Sequence, residues 1–437
     1  MSSEAIRIIR VKAFDVVETV NTLRRSIEMN QEHIIMVKSI IDDVRRRGDY
    51  ALIEYSKRFD DLTLSKDRIM VSRDDISSAY KKVSSKEVEA LNEMKRRIEY
   101  VEHALLDAIK RSIDLSYKGM KIVRETKPLD SVGCYVPGGK ARYPSTVLMT
   151  ALPAKVAGVK RVVICTPPVH GSDVDPLTLV AADIAGVDEV YRVGGAHAIA
   201  AMAYGTESIK RVSKIVGPAG MFVSIAKILV SNRVAIDMYA GPTELLVVAD
   251  DTADPSLIAL DMIAQAEHSS DTICGLVTCS EKVAYATATE LSSLLSRITT
   301  RGDIVRSSIG NNGFIAVTED HDTLLRFVNE FAPEHLQLHI NDHTIASKID
   351  NAGMILVGEH SPSAASDYCT GTNHVLPTSG LAKARGSLTC LDYLKTVSRV
   401  ELSKEGLEDI VEHICYIADA EGLENHYRAV VGRFKKN

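Results

Sequence analysis

The spacing of apolar positions changes character along the chain. From Ser77 to Ile113, Leu, Met and Val recur at helical spacing among Lys, Glu and Arg, which predicts solvent-faced helices before the texture changes. After Lys127 come Pro128 and Pro137-Gly138-Gly139, then short β-branched runs alternating with small-residue segments. Strands are predicted at 161–165, 189–193, 214–216, 234–236 and 245–249, with helices between them. Asp175-Pro176 and Asp254-Pro255 each place an N-capping carboxylate ahead of a proline at the first helical position. Strand, helix and strand at this rhythm imply parallel βαβ units. A second set, strands at 314–317 and 354–357 around a helix at 322–331, predicts another α/β lobe. The 404–434 stretch reads as helices, joined through a loop or hinge at 380–387.

A chain of 437 residues exceeds the roughly 250–300 at which one core stops growing, so more than one lobe is expected. Hydrophobic residues at 45% and charged residues at 25% are ordinary globular usage. A net charge of −6 with interspersed signs gives neither the basic footprint of a nucleic-acid binder nor a polybasic membrane anchor, so a small-molecule partner is expected. Met1-Ser2-Ser3-Glu4 opens no apolar leader and no apolar run of membrane-spanning length follows, which reads as a cytoplasmic protein. Seven dispersed cysteines without a CxxC pair suit reduced thiols.

Four polar clusters carry candidate chemistry. Gln265 and His268 lie three apart at the end of an apolar helix, so they share a face and can hold one ligand or simply cap the helix. Glu334-His335 pairs a carboxylate with an imidazole just after Pro333, a combination suited to activating water and shuttling protons, or to a surface Glu beside a core His. The polar stretch Ser366 to His374 offers Asp367 as a metal donor and His374 for a polar ring, with loop capping as the alternative. Glu421 and His426 repeat the carboxylate and imidazole theme near the end, where a solvated helix face explains them as well. Gly194-Gly195-Ala196 and Gly217-Pro218-Ala219-Gly220 each open a helix after a strand, so either can offer amides to a phosphate, although neither is GxGxxG.

Taken in order, Gly194-Gly195-Ala196, Ile236-Asp237-Met238, Ala240-Gly241-Pro242, Ala264 to His268, Ala332 to Leu336 and Gly371 to Thr378 resemble the histidinol dehydrogenase family in sequence and spacing, from about Lys127 to His426. The resemblance implies an α/β fold of two Rossmann-like parallel-sheet lobes with helical N- and C-terminal extensions in an intertwined homodimer. It implies an N-terminal extension over 1–30, a metal and catalytic lobe from 31–129 and 238–380, a nucleotide-binding lobe over 130–237, and a tail over 381–437 that completes the partner's site. It further implies a zinc ion on Gln265, His268, Asp367 and His426, with Glu334 activating water and His335 exchanging protons. Thr243, Gln265, His268, His335, Asp367, His374, Glu421 and His426 would contact L-histidinol, Thr243 standing where the family commonly has Ser. The reaction implied is oxidation of histidinol to histidine through the aldehyde with two NAD in succession. At the cofactor positions Tyr135 matches, whereas His197 and Gly220 replace the usual Gln and Asn, which leaves NADP open as an alternative.

Two other readings compete. A paralogue on the same scaffold, such as a sulfopropanediol dehydrogenase, would be expected to change Glu421, His426 and Ser366-Asp367-Tyr368, all present here. A zinc hydrolase using Glu334 fits the metal set but leaves the Gly-rich βαβ segments unexplained.

Overall fold

The computed structural model describes residues 6–24, 31–109, 112–138, 142–169, 173–239 and 241–434; Gly139 and Ala240, named above, residues 1–5 and 25–30 of the N-terminal extension and residues 435–437 of the tail lie outside them. In chain order the strands are β1 (Arg7–Val11), β2 (Ser112–Tyr117), β3 (Met120–Pro128), β4 (Ser131–Tyr135), β5 (Arg161–Cys165), β6 (Glu189–Tyr191) and β7 (Lys214–Val216). They continue with β8 (Ala235–Ile236), β9 (Glu244–Ala249), β10 (Ile273–Thr278), β11 (Phe314–Thr318), β12 (His335–His339), β13 (Met354–Val357) and β14 (Leu394–Leu402).

Two parallel sheets organise the molecule. The larger runs β1-β11-β10-β9-β12-β13 and the smaller β6-β5-β4-β7-β8. Every residue of β9, β10, β11 and β12 is buried, as expected of parallel strands covered by helices on both faces. Two apolar clusters flank each sheet. The Pro176–Ile184 and Pro255–Ala266 helices begin as expected: Asp175 accepts the Leu177 and Thr178 amides and Asp254 accepts that of Ser256, each ahead of a proline without an amide hydrogen to satisfy. Gly275 is required by close approach, because a Cβ there would lie 2.3 Å from the Phe314 ring.

Three features depart from expectation. The N-terminal segment contributes a strand, since β1 joins β11 as a parallel edge of the large sheet. The charged helices Gln31–Arg47, Asp49–Asp60, Arg73–Tyr80 and Ser85–Ala108, which the resemblance groups with 238–380, pack on the smaller-sheet lobe: Val37, Ile41 and Leu52 join the cluster of Ile199 and Ile225, and Leu91, Met94 and Ile98 that of Leu148 and Leu179. Their apolar stripes identify a buried face without saying which sheet it meets. The chain expected to stay helical to Ile113 leaves the helix at Ala108, and Ile113 lies in an antiparallel sheet ordered β14-β3-β2. The tail forms the expected helices, Lys404–Ala420 and Glu424–Val431. No described helix is long and apolar enough to cross a membrane.

Candidate active site

Two neighbouring strands of the large sheet, β9 and β12, begin with chemistry. Glu244 is the first residue of β9 and Glu334 immediately precedes β12, which starts at His335. These strands pair, His335 against Leu245, so the two glutamates are neighbours. Ala332 takes a left-handed turn (φ 43°) after the His321–Phe331 helix, and this tight exit delivers Glu334 to the amino edge of the sheet. The Pro255–Ala266 helix ends at the same edge, with His268 just past its C-cap and its amide bonded to the Gln265 carbonyl at 3.1 Å. The short Ser363–Ser366 helix presents Asp367 at its C-cap.

These side chains meet. Gln265 Nε2 lies 3.4 Å from His335 Nδ1, and Ser363 Oγ donates to Gln265 Oε1 at 3.2 Å. His335 Nε2 is 3.6 Å from Asp367 Oδ1, and His268 Nε2 is 3.8 Å from Asp367 Oδ2. His374 Nδ1 sits 2.9 Å from the Asp367 carbonyl and its Nε2 3.2 Å from Thr146 Oγ1, tying the cluster to the Pro144–Ala157 helix of the other lobe. Gln265, His268, His335, Asp367 and His374 thus share one site with Glu334. Thr243 stands at its border, half-buried one residue before Glu244.

Burial lifts the Glu334 carboxyl to about 7, against the pull of His335. Burial would also lift Asp367, but the imidazoles of His268 and His335 outweigh it and hold Asp367 below the usual carboxylate range. His335 is raised: burial opposes its charge, and Asp367 and Glu334 overcome that. Burial lowers His374. The buried Nε2 of His335 has no hydrogen-bond partner, leaving a donor or acceptor for a bound molecule.

Glu421, at the C-cap of the first tail helix, and His426, on the second, are exposed, and among the described residues neither is hydrogen-bonded to this cluster within one chain. Among the described residues, no group of three or more His, Cys, Asp or Glu side chains closes on a metal-sized point. The chain brings together one imidazole, one carboxylate and one amide of the expected ligand set, which is one donor short of a closed tetrahedral shell.

The smaller sheet offers a second surface. Its order reverses between β4 and β7, and the carboxyl ends at such a reversal are where α/β sheets open a crevice for ligands. Tyr135 ends β4, and its hydroxyl accepts the Gly195 amide at 3.2 Å. Gly217 follows β7 in a left-handed conformation (φ 118°), where a Cβ would lie 2.2 Å from the Tyr135 carbonyl oxygen. Gly220 caps the Met221–Val230 helix with open space in place of a side chain. The Gly217 loop is held by a buried ion pair, Lys227 with Asp237, in which Lys227 Nζ also donates to the Gly217 carbonyl and Asp237 accepts the Gly217 amide.

His197, which the resemblance places at the cofactor, lies in an aromatic pocket. It is 1% exposed, packs against Tyr55 and Phe59 at 5.6 and 6.1 Å between ring centroids, and neither ring nitrogen has a hydrogen-bond partner. Burial drives its pKa down to about 3, so it stays neutral where a free histidine would ionise, and a charged His197 gripping a phosphate is excluded at ordinary pH. Because the unfolded chain binds the proton near pH 6.5 and the folded chain does not, stability is full above that value and falls as pH drops toward 3. Wild-type protein is expected to lose ~2 kcal/mol between pH 7 and 5 through this residue. Denaturant unfolding of His197→Gln at the two pH values checks this, and an equal loss in both proteins would refute it.

With the geometry in place, comparison with known proteins is decisive. The family model for histidinol dehydrogenase matches residues 23–434. The chain belongs to the histidinol dehydrogenase family. It is 44% identical over 422 residues to the histidinol dehydrogenase of Methanopyrus kandleri, covering 95% of this chain and 97% of that protein. It is 41% identical over 420 residues to that of Bacillus cereus, covering 96% and 95%. The crystal structure of histidinol dehydrogenase from Elizabethkingia anophelis superposes with a TM-score of 0.91 at 32% identity, covering 99% of both chains. Membership makes this protein an oxidoreductase of histidine biosynthesis.

Sequence reasoning overlooked Glu244, Ser363 and Thr146. Glu244 left one signal, a lone carboxylate at the head of the apolar run Leu245 to Ala249. Ser363 and Thr146 left none, being ordinary helix-start residues whose neighbours come from elsewhere in the chain.

Proposed function

We propose that this enzyme oxidises L-histidinol to L-histidine through the aldehyde with two NAD in succession, and that Glu334 and His335 carry the proton transfers. The observation that carries the proposal is their juxtaposition at one buried edge with Gln265, His268, Asp367 and His374, in a chain of this family. Oxidising an alcohol removes a hydroxyl proton and a hydride; converting the aldehyde to an acid adds water first, then removes a second hydride. The chemistry therefore needs a proton acceptor at the alcohol and a base for the water. His335, whose Nε2 has no hydrogen-bond partner, takes the hydroxyl proton. Glu334, whose raised pKa suits a base working near neutrality, takes the proton of the water that adds to the aldehyde.

When bound, the nicotinamide cofactor supplies the hydride acceptor in both oxidations. Tyr135, Gly217 and Gly220 at the reversal of the smaller sheet are suited to hold it, and the Gly220 gap leaves room at the helix start. His197 acts there as a packing residue behind the Gly194-Gly195 turn. A zinc ion fits Gln265, His268 and Asp367, a donor set of amide, imidazole and carboxylate, with His426 from a second copy completing it; it would orient the substrate amine and imidazole as a Lewis acid. Thr243, His374 and Glu421 complete the substrate's surroundings.

The second copy is supported by the tail. In the Lys404–Ala420 helix only Gly406 and Ala418 are buried, while Tyr416 and Ile417 are 69% and 62% exposed, and the Glu424–Val431 helix buries nothing. Helices this short gain their stability mainly from packing, so these apolar faces call for a partner.

The test is to load the protein with zinc, add L-histidinol with NAD and separately with NADP, and follow reduced nicotinamide and product histidine. Two NADH per histidine, lost on chelation and restored by zinc, is the expected result. Absence of nicotinamide reduction with folded, metal-loaded protein would refute the reading, and preference for NADP would refute its cofactor assignment.

A further inference from the structure

Glu244 and Glu334 form a reciprocal clasp. The Glu244 amide donates to Glu334 Oε2 at 2.8 Å, the Glu334 amide donates to Glu244 Oε2 at 3.3 Å, and Glu244 Oε1 accepts the Ser379 amide at 3.0 Å. Glu244 is 1% exposed, and its own carbonyl oxygen lies 3.4 Å from His335 Nδ1. The strand pairing here needs no carboxylate, since β9 continues as Leu245-Leu246-Val247-Val248-Ala249. Burying a second carboxylate beside the first costs desolvation and like-charge repulsion, and Arg24 supplies only a partial counter-charge. A purely structural position would be filled more cheaply by an apolar side chain.

We propose that Glu244 is a positioning residue for the water-activating step: its carboxylate fixes the main chain at Glu334, its amide fixes the Glu334 carboxylate, and its carbonyl faces the His335 ring. Hydrating the aldehyde demands that Glu334 meet a water and a carbonyl carbon together, and misplacement by about 1 Å can cost about 10²-fold in rate. The alcohol oxidation depends on His335 and is less exposed to a shift of Glu334. This inference rests on the reaction proposed above.

The experiment compares wild type, Glu244→Gln and Glu244→Leu in the metal-loaded enzyme, measuring kcat and KM for histidinal oxidation, the first hydride transfer from histidinol in a single turnover, and thermal stability. A carboxamide has one acceptor oxygen for the two amides that Glu244 now satisfies, so Glu244→Gln breaks the clasp at nearly constant shape. The expected result is a fall in kcat on histidinal approaching about 10²-fold, with little change in KM and an intact first hydride transfer. Glu244→Leu, which extends the apolar run, is expected to stay folded and show the same selective defect. Equal loss in both half-reactions, no loss in either variant, or unfolding of both variants overturns the proposal by making Glu244 structural or idle. If wild-type protein itself fails to oxidise histidinol, the reading of the reaction fails instead.

Discussion

Replacing Glu334 with glutamine is expected to lower the conversion of histidinal to histidine by about 10²–10⁴-fold, the usual span for losing a positioned general base. The substitution preserves volume and leaves an oxygen to accept the Glu244 amide, so the fold should stand. It removes the group able to take a proton from water, and no other carboxylate replaces it: Asp367 is held in its ionised form by His268 and His335 and makes a poor base, and Glu244 turns both oxygens to backbone amides. The first oxidation relies on His335 and should persist, so nicotinamide reduced per histidinol consumed should fall from about two toward one, with aldehyde recoverable by a trapping nucleophile. Undiminished histidine formation by a correctly folded Glu334→Gln enzyme would remove Glu334 from its role.

Mixing two variants that each fail to form histidine is expected to restore histidine formation. Glu334→Gln damages a residue of the chain's own cluster, whereas His426→Ala damages an exposed residue of the tail. If tails cross between copies in a two-fold dimer, a hybrid of one chain of each kind carries both lesions in one site and none in the other. After subunits exchange at random, half the dimers are hybrids with one sound site, so about a quarter of wild-type turnover should return. Truncation after Lys404 should abolish turnover for the same reason, and adding Glu334→Gln chains should restore part of it. Mixtures that form no more histidine than their components, despite proven exchange, would show that each tail serves its own chain.

Much of the architecture was legible locally. The β-branched runs that became β5, β7, β9, β11 and β13 are short, apolar and bounded by turn residues, and the aspartate-proline caps announced two helices. β12 has no β-branched apolar run: in His335-Leu336-Gln337-Leu338-His339 polar residues alternate with leucines, the pattern of a half-exposed strand, yet all five residues are buried. Its polar side chains are instead satisfied inside the protein: Gln337 Nε2 donates to Asp261 at 2.5 Å, lies 2.9 Å from His339 Nε2, and Gln337 Oε1 accepts the Ser363 amide. β10 was missed in the same region, since Ile273 to Thr278 includes a glycine that only the Phe314 ring explains.

For the site, motif order pointed to Gln265, His268, Glu334, His335, Asp367 and His374, because residue type and spacing along the chain are properties of the sequence itself. The sequence alone also determined the family and the alternation of strands and helices, which depend on local propensity and apolar period. Only the tertiary structure decided that the charged helices from Gln31 to Ala108 serve the smaller sheet, that His197 lies neutral in an aromatic pocket, and that Glu244 clasps Glu334. Each depends on which surface a segment meets, on how completely water is removed, or on amides brought together from 90 residues away. Local pattern says that a side chain must be buried or paired; the choice of partner belongs to the packing.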